Sequence, residues 1–195
     1  MTARRWKQAL LAATVAVLAA GGGYGVYRWQ HGDAAAVAGP PGAAQAIFAA
    51  SFDDLSGQRQ SLSRWRGKAL VINFWATWCE PCRIEIPRFV KLQSRYGAQG
   101  LQFIGIAIDG RDKVADFARK TGINYPVLIG QVDGVDLSRK AGNHLGGLPY
   151  TVLIDRRGRV VSTHLGEVKF DHLEKTITEM LDEPVHAHRA TASTG

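Results

Sequence analysis

Cysteine is scarce in this sequence, and its scarcity excludes two classes of protein. The 195 residues contain only Cys79 and Cys82. A small domain held together by disulfides needs several cysteines spread along the chain, so this class is excluded. A closed structural zinc site needs four nitrogen or sulfur ligands, and one C-x-x-C pair supplies half of them. His144, His164 and His172 are scattered singly, and a weak adventitious site at His186 and His188 is the most that the sequence supports, so we predict no functional metal site.

An excess of charge of one sign is also missing from most of the chain. The formal net charge is +7, yet residues 46–183 carry 19 basic and 16 acidic side chains. The rest of the excess lies near the N-terminus and at Arg189. Without a basic stripe, nucleic acid is not expected as a partner. A hydrophobic fraction of 46% and a charged fraction of 21% are typical of a globular domain and exclude wholesale disorder.

One long apolar run is present, near the N-terminus. Arg4, Arg5 and Lys7 precede residues 9–27, which are 19 residues without a charge. That length is about what a helix needs to cross a bilayer. A basic N-terminal flank stays in the cytoplasm and places the following chain outside. We therefore predict a signal anchor over residues 1–29, which makes a single-pass inner-membrane protein with its domain in the periplasm.

A cleaved signal peptide is the alternative to this anchor. Residues 36–38 (AVA) have the small-residue spacing of a signal peptidase site, and Gly21 begins a run of glycines that could end the apolar core early. Arg28 and Asp33, however, separate this site from the apolar run by more than usual. The anchor is favoured, and either outcome exports the domain.

The rest of the chain divides into a linker, one domain and a tail. Residues 30–45 are rich in alanine, glycine and proline and predict a flexible linker. Residues 184–195 lack apolar periodicity and predict a disordered tail. Residues 46–183 alternate strand-like and helix-like patterns, which predicts an α/β domain with a mixed sheet flanked by helices.

The pattern predicts individual elements within that domain. Strands are expected at 47–52 and 60–62 (an opening hairpin), 69–75, 101–108 and 126–129, and a second hairpin at 150–154 and 160–165. Helices are expected at 80–96, 111–120, 132–140 and 169–181. Ile84, Phe89 and Leu92 are predicted on the buried side of the first helix.

The cysteine pair lies where the buried strand 69–75 gives way to the helix 80–96. A helix N-terminus carries partial positive charge, which favours a thiolate at Cys79, and the thiolate is the attacking species in disulfide exchange. We predict Cys79 as the nucleophile and Cys82, one turn on, as the resolving cysteine. Two buried structural cysteines are the alternative, and the exposed position expected at a helix tip favours the redox interpretation. No cofactor is expected beyond this redox-active disulfide.

Three nearby side chains have two interpretations each. Glu85 lies one helical turn beyond Cys82, where partial burial would raise its proton affinity and suit it to proton transfer. The alternative is a solvated glutamate favoured by the helix dipole. Trp75 and Trp78 are either a core and a rim aromatic or a shield around the disulfide, and for Trp75 the core interpretation is preferred.

Residues 71–87 read VINFWATWCEPCRIEIP and resemble the TlpA/ResA branch of thioredoxin-like proteins, whose signature is close to V-N-F-W-A-T-W-C-x-P-C-x-x-E-x-P. Residues 146–155 resemble the cis-proline segment of that family. The resemblance implies a thioredoxin fold with an N-terminal β-hairpin and an inserted strand–helix unit at 101–121. It also implies that Pro149 is cis, that the Leu148 backbone and Trp78 contact substrate, and that Glu85 is the family's active-site acid.

The same resemblance implies a function. It is that of a protein-disulfide reductase acting on exported thiols and disulfides, in cytochrome c maturation or copper-site assembly, and recharged by a membrane electron donor of the thioredoxin-reducing type. Tyr150 departs from the acidic residue that the cytochrome-maturation subgroup often carries. A thiol peroxidase is one alternative, although such sites place threonine three residues before the cysteine and Thr77 is two before Cys79. A non-catalytic metal-binding or chaperone module is the other.

Overall fold

The computed structural model describes residues 39–183, and these form one mixed seven-stranded sheet with helices on both faces. The elements in chain order are α1 (Ala43–Ala49), β1 (Ser51–Asp54), β2 (Arg59–Ser61), β3 (Ala69–Trp75), α2 (Glu80–Tyr96), β4 (Leu101–Ala107), α3 (Arg111–Thr121), β5 (Val127–Ile129), α4 (Gln131–Lys140), β6 (Tyr150–Ile154), β7 (Val160–Leu165) and α5 (Phe170–Asp182). Short 3-10 helices occupy Leu62–Trp65 and Gly97–Gln99.

Strand β3 lies inside the sheet, whose order is β2-β1-β5-β4-β3-β6-β7. It pairs in parallel with β4 and antiparallel with β6. All seven of its residues are buried, as the continuous apolar run predicted for a strand covered on both faces. The predicted fold class, including the opening hairpin and the β4–α3 insertion, is confirmed.

Alternate residues of β3 contribute to two separate hydrophobic cores because side chains in a strand alternate between faces. Val71 and Trp75 pack with residues of α2, α3 and α5. Leu70, Ile72 and Phe74 pack with residues of α1 and α4. The buried apolar side chains of α2 therefore all pack against the face of β3 that carries Val71 and Trp75.

The start of the domain differs from the prediction. Residues 47–49 were expected in a strand and residues 43–45 in the linker, but all six belong to helix α1. Ala43 and Ile47 are both buried and four residues apart, which is the spacing of one helix face, and the segment is rich in alanine, the best helix former. The first strand begins only at Ser51.

The buried side of α2 also differs in one position. Phe89 and Leu92 are buried as predicted, but Ile84 is 48% exposed. The buried stripe follows the i, i+3, i+4, i+7 spacing of a helix face and begins at Cys82, so it takes in Glu85 and turns Ile84 outward. The helix buries a carboxyl group where an isoleucine was expected.

Within residues 39–183, no helix is long and apolar enough to span a bilayer. The predicted anchor at 1–29, the predicted tail at 184–195 and most of the predicted linker lie outside the described residues.

Candidate active site

Cys79 caps the N-terminus of α2. Its Sγ accepts a hydrogen bond from the backbone N–H of Cys82 at 3.4 Å, and Pro81 occupies the first turn, where its missing N–H costs nothing. A sulfur in this capping position faces the orphan N–H groups and the positive end of the helix dipole. The local sequence therefore places Cys79 where a thiolate is stabilised.

Cys79 and Cys82 are joined as a disulfide, with their Cα atoms 5.3 Å apart. Cys79 is 6% exposed and Cys82 is completely buried. Cys79 is thus less exposed than its position at a helix tip predicted, because it packs into the core cluster beneath α2. Cys79 is nevertheless the residue of the pair that keeps some exposed area, so it is the one that a second protein can approach.

The segment before β6 lies at the same end of the sheet as the disulfide. The Leu148–Pro149 peptide bond is cis, and Tyr150 pairs with Phe74 near the end of β3 that leads to Cys79. Two hydrogen bonds hold the preceding loop: Asn143 Nδ2 donates to the carbonyl oxygen of Gly147 at 2.9 Å, and the Tyr150 hydroxyl donates to Ala141 O at 2.8 Å.

The two tryptophans differ in environment. Trp75 is 1% exposed and stacks at a tilt on Phe117 with ring centroids 5.2 Å apart, so its interpretation as a core residue is confirmed. Trp78 is 67% exposed and lies on the rim, immediately before Cys79. The Thr77 hydroxyl donates to a carboxylate oxygen of Asp109, which links this loop to the end of β4.

Glu85 is buried beneath the surface of α2, with only 2% of its area exposed. Asn73 Nδ2 donates to its Oε1 at 2.9 Å, and the Val168 N–H donates to its Oε2 at 3.4 Å. Burial raises the pKa of Glu85 to about 8, and repulsion from Glu167 adds to this, while the two hydrogen bonds oppose it. The solvated interpretation is therefore wrong. Near neutral pH Glu85 is mostly protonated, and its ionised fraction grows as the pH approaches about 8.

Comparisons with known proteins agree with this geometry. Residues 42–180 match the family model described as Redoxin. The chain belongs to the Redoxin family.

Within the Redoxin family, the chain is similar to proteins called thiol-disulfide oxidoreductase ResA. It is 33% identical over 123 residues to that of Geobacillus kaustophilus (strain HTA426), which covers 63% of this chain and 68% of the relative. It is 35% identical over 122 residues to that of Bacillus anthracis, covering 62% and 68%. A crystal structure of a thiol:disulfide interchange protein of the thioredoxin family from Chlorobium tepidum TLS matches with a TM-score of 0.62 and 29% identity, over 68% of this chain and 92% of that one.

These similarities confirm the TlpA/ResA-type resemblance. This Redoxin-family protein is an enzyme, a thiol-disulfide oxidoreductase that acts on protein thiols and disulfides through a thioredoxin fold. Among residues 39–183, no three histidine, cysteine or acidic side chains come together as a metal site would require.

Three polar residues of this Redoxin-family site escaped the sequence analysis. Asn73 touches Glu85, Asp109 holds the loop before Cys79, and Asn143 holds the loop before Pro149. The sequence does contain a signal for Asn73, which is the one polar residue in the apolar run of β3. A polar side chain in a strand that is buried on both faces requires a hydrogen-bond partner. Asp109 and Asn143 lie in loops and had no comparable signal.

Proposed function

We propose that the protein is a membrane-anchored periplasmic reductase of disulfides in exported proteins. The observation that carries the proposal is the disulfide at the N-terminus of α2, in which Cys79 reaches the surface and Cys82 is sealed behind it. The substrates would be apocytochrome c haem-attachment cysteines or the cysteines of a copper site. The similarity to proteins named thiol-disulfide oxidoreductase ResA supports a thiol–disulfide exchange of this kind.

The reaction proceeds from the reduced dithiol. The Cys79 thiolate attacks one sulfur of the substrate disulfide, the substrate S–S bond breaks, and the departing thiolate takes up a proton. Cys82 then loses its proton and attacks the Cys79 sulfur, which releases the second substrate thiol. The substrate gains two electrons and two protons, and the enzyme is left as the Cys79–Cys82 disulfide. A membrane electron donor of the thioredoxin-reducing type returns it to the dithiol.

In its ionised form, Glu85 is the proposed acceptor of the Cys82 proton. It lies one turn further along α2 on the same buried stripe, and both side chains are shielded from solvent. Bulk water cannot reach Cys82 freely, so a protein group must take its proton. A carboxyl group whose pKa is raised to about 8 matches a thiol well, since efficient transfer needs similar proton affinities.

The surface around Cys79 suits a protein substrate. Trp78 is exposed beside the disulfide, and Leu145, in the loop before Pro149, is 85% exposed. Leu165, which pairs with Tyr150 across the β6–β7 hairpin, is 44% exposed. Exposed apolar side chains at one end of a domain are typical of interaction sites. An extended substrate segment would lie between these groups and pair with the backbone of Leu148.

The reduction potential tests the direction of the reaction. Equilibration of the purified protein with glutathione or dithiothreitol buffers, followed by quenching and mass measurement, gives the midpoint potential. We expect a value near that of thioredoxin, about −270 mV. A value near −120 mV, typical of a strong periplasmic oxidant, would reverse the assignment.

The membrane anchor has its own test. The full chain is expected to stay in the membrane fraction after an alkaline carbonate wash, and its purified mass is expected to include residues 1–38. Release into the wash together with a new N-terminus at Gly39 would establish the cleaved signal peptide instead. The reductase assignment does not depend on which outcome is found.

The thiol peroxidase alternative gains no support from the site. Its chemistry needs a threonine hydroxyl directed to the reactive cysteine, and the Thr77 hydroxyl is engaged by Asp109. A peroxide-consumption assay on the reduced protein distinguishes the two activities.

A further inference from the structure

Asn73 lies between the proton acceptor and the strand that carries the cis proline. It is 2% exposed, in the middle of β3. Its Nδ2 donates to Glu85 Oε1 at 2.9 Å and to Thr151 Oγ1 at 3.0 Å. Thr151 is paired with Asn73 across β3 and β6 and comes two residues after Pro149. The two hydrogens of the Asn73 amide are therefore both used, one by Glu85 and the other by Thr151.

The other side of the same amide has no hydrogen bond. Among the described residues, Asn73 Oδ1 is buried and lacks a donor. A buried carbonyl without a partner destabilises a folded protein, and an apolar side chain in a strand covered on both faces would avoid that cost. The unpaired Oδ1 of Asn73 destabilises the fold, so the presence of asparagine here is better explained by the two hydrogen bonds that its Nδ2 donates.

We infer that Asn73 is a positioning residue for proton transfer, which fixes the Glu85 carboxyl behind Cys82 and ties it to the strand of the substrate-binding segment. The inference rests on the proposed role of Glu85 as proton acceptor. Among the described residues, the side-chain hydrogen bonds of Asn73 go to Glu85 and Thr151 and not to a cysteine, so it acts through those two residues.

The groups facing Glu85 show why Asn73 matters. On the loop before α5, Glu167 repels the carboxylate, and its own ion pair with Arg88, at 3.7 Å, is partly exposed. Tyr125 lies close enough for the charge of Glu85 to add to the effect of burial in raising the tyrosine pKa. Against these, the stabilising contacts are the Asn73 amide and the Val168 N–H, and the Asn73 hydrogen bond is the shorter.

The test isolates the step in which Cys82 leaves its proton. In the full-length protein, Cys79 is converted to its mixed disulfide with thionitrobenzoate, and release of the coloured thiolate reports attack by Cys82. For Asn73→Leu, the pH midpoint of release should move up by about one unit, and release below the midpoint should slow by about tenfold, because fewer molecules hold ionised Glu85. Asn124→Leu, at an exposed asparagine bonded to Val90 and Ser94, is the matched control and should leave the profile unchanged.

Two further variants make every outcome decisive. If Glu85→Gln keeps the wild-type profile, the role of Glu85 fails and the inference fails with it. If Glu85→Gln alters the profile but Asn73→Leu does not, only the role of Asn73 is overturned. Should Asn73→Leu fail to fold, Thr151→Val keeps the asparagine and removes its second acceptor. An upward shift smaller than that of Asn73→Leu is then expected, because the amide loses the contact that orients it but keeps its hydrogen bond to Glu85, and an unchanged profile would overturn the inference.

Discussion

Replacement of Cys79 by serine is expected to abolish disulfide reduction, with a loss on the order of a thousandfold or more, because a hydroxyl cannot replace the thiolate nucleophile. Replacement of Cys82 by serine should have a different effect. Cys79 would still attack, but nothing behind it could release the product. The Cys82→Ser protein should therefore accumulate mixed disulfides with its substrates, and Cys79→Ser should not.

Non-reducing gels and mass spectrometry of proteins captured in the export compartment measure this difference. Burial explains why the two cysteines should differ so strongly, since Cys82 has no exposed area and Cys79 has 6%. Stability provides the control: both variants lose the same disulfide, so they should unfold at similar denaturant concentrations. Equal trapping by the two variants would mean that the roles of the cysteines are wrongly assigned.

Much of the fold was predictable because its elements are local in sequence and clearly punctuated. The bounds of β3, α2, β6 and β7 match the prediction at both ends. Strand β3 is a continuous apolar run, and α2 is bounded by the Cys79 cap and by Gly97. In the short, alanine-rich segment of α1, the apolar pattern is compatible with either a strand or a helix, and the alanine content favours the helix.

The site was predictable only in part, because its burial is set by contacts distant in sequence. The strand–helix junction fixed the place of Cys79 and Cys82. The environment of Glu85 depends instead on Asn73, 12 residues away, and on Val168, 83 residues away. No local pattern reports such contacts, and a glutamate near a helix N-terminus is most often solvated. The prediction that Ile84 is buried was wrong because it used the hydrophobicity of that residue alone, and the contacts that turn Glu85 inward are distant in sequence.

The stability of the oxidised protein should fall as the pH rises, and Glu85→Gln should remove most of this dependence. In the folded protein burial raises the pKa of Glu85 to about 8, above its ordinary value of 4.5. Between these two values the folded chain keeps a proton that the unfolded chain releases. The stabilisation that comes from protonated Glu85 is therefore fully present below pH 4.5 and is lost progressively as the pH rises through about 8. The total loss is about 4–5 kcal/mol.

Urea unfolding at a series of pH values, followed by tryptophan fluorescence, measures this loss. A glutamine resembles the protonated carboxyl in shape and cannot ionise. The stability of Glu85→Gln relative to wild type should therefore increase by about 4 kcal/mol from acid to alkaline pH. Glu80→Gln, which changes an exposed carboxyl at the start of the same helix, is the matched control and should track wild type. A constant difference between Glu85→Gln and wild type at every pH would mean that folding does not raise the pKa of Glu85. The carboxyl group would then be a poor match for the proton affinity of the Cys82 thiol.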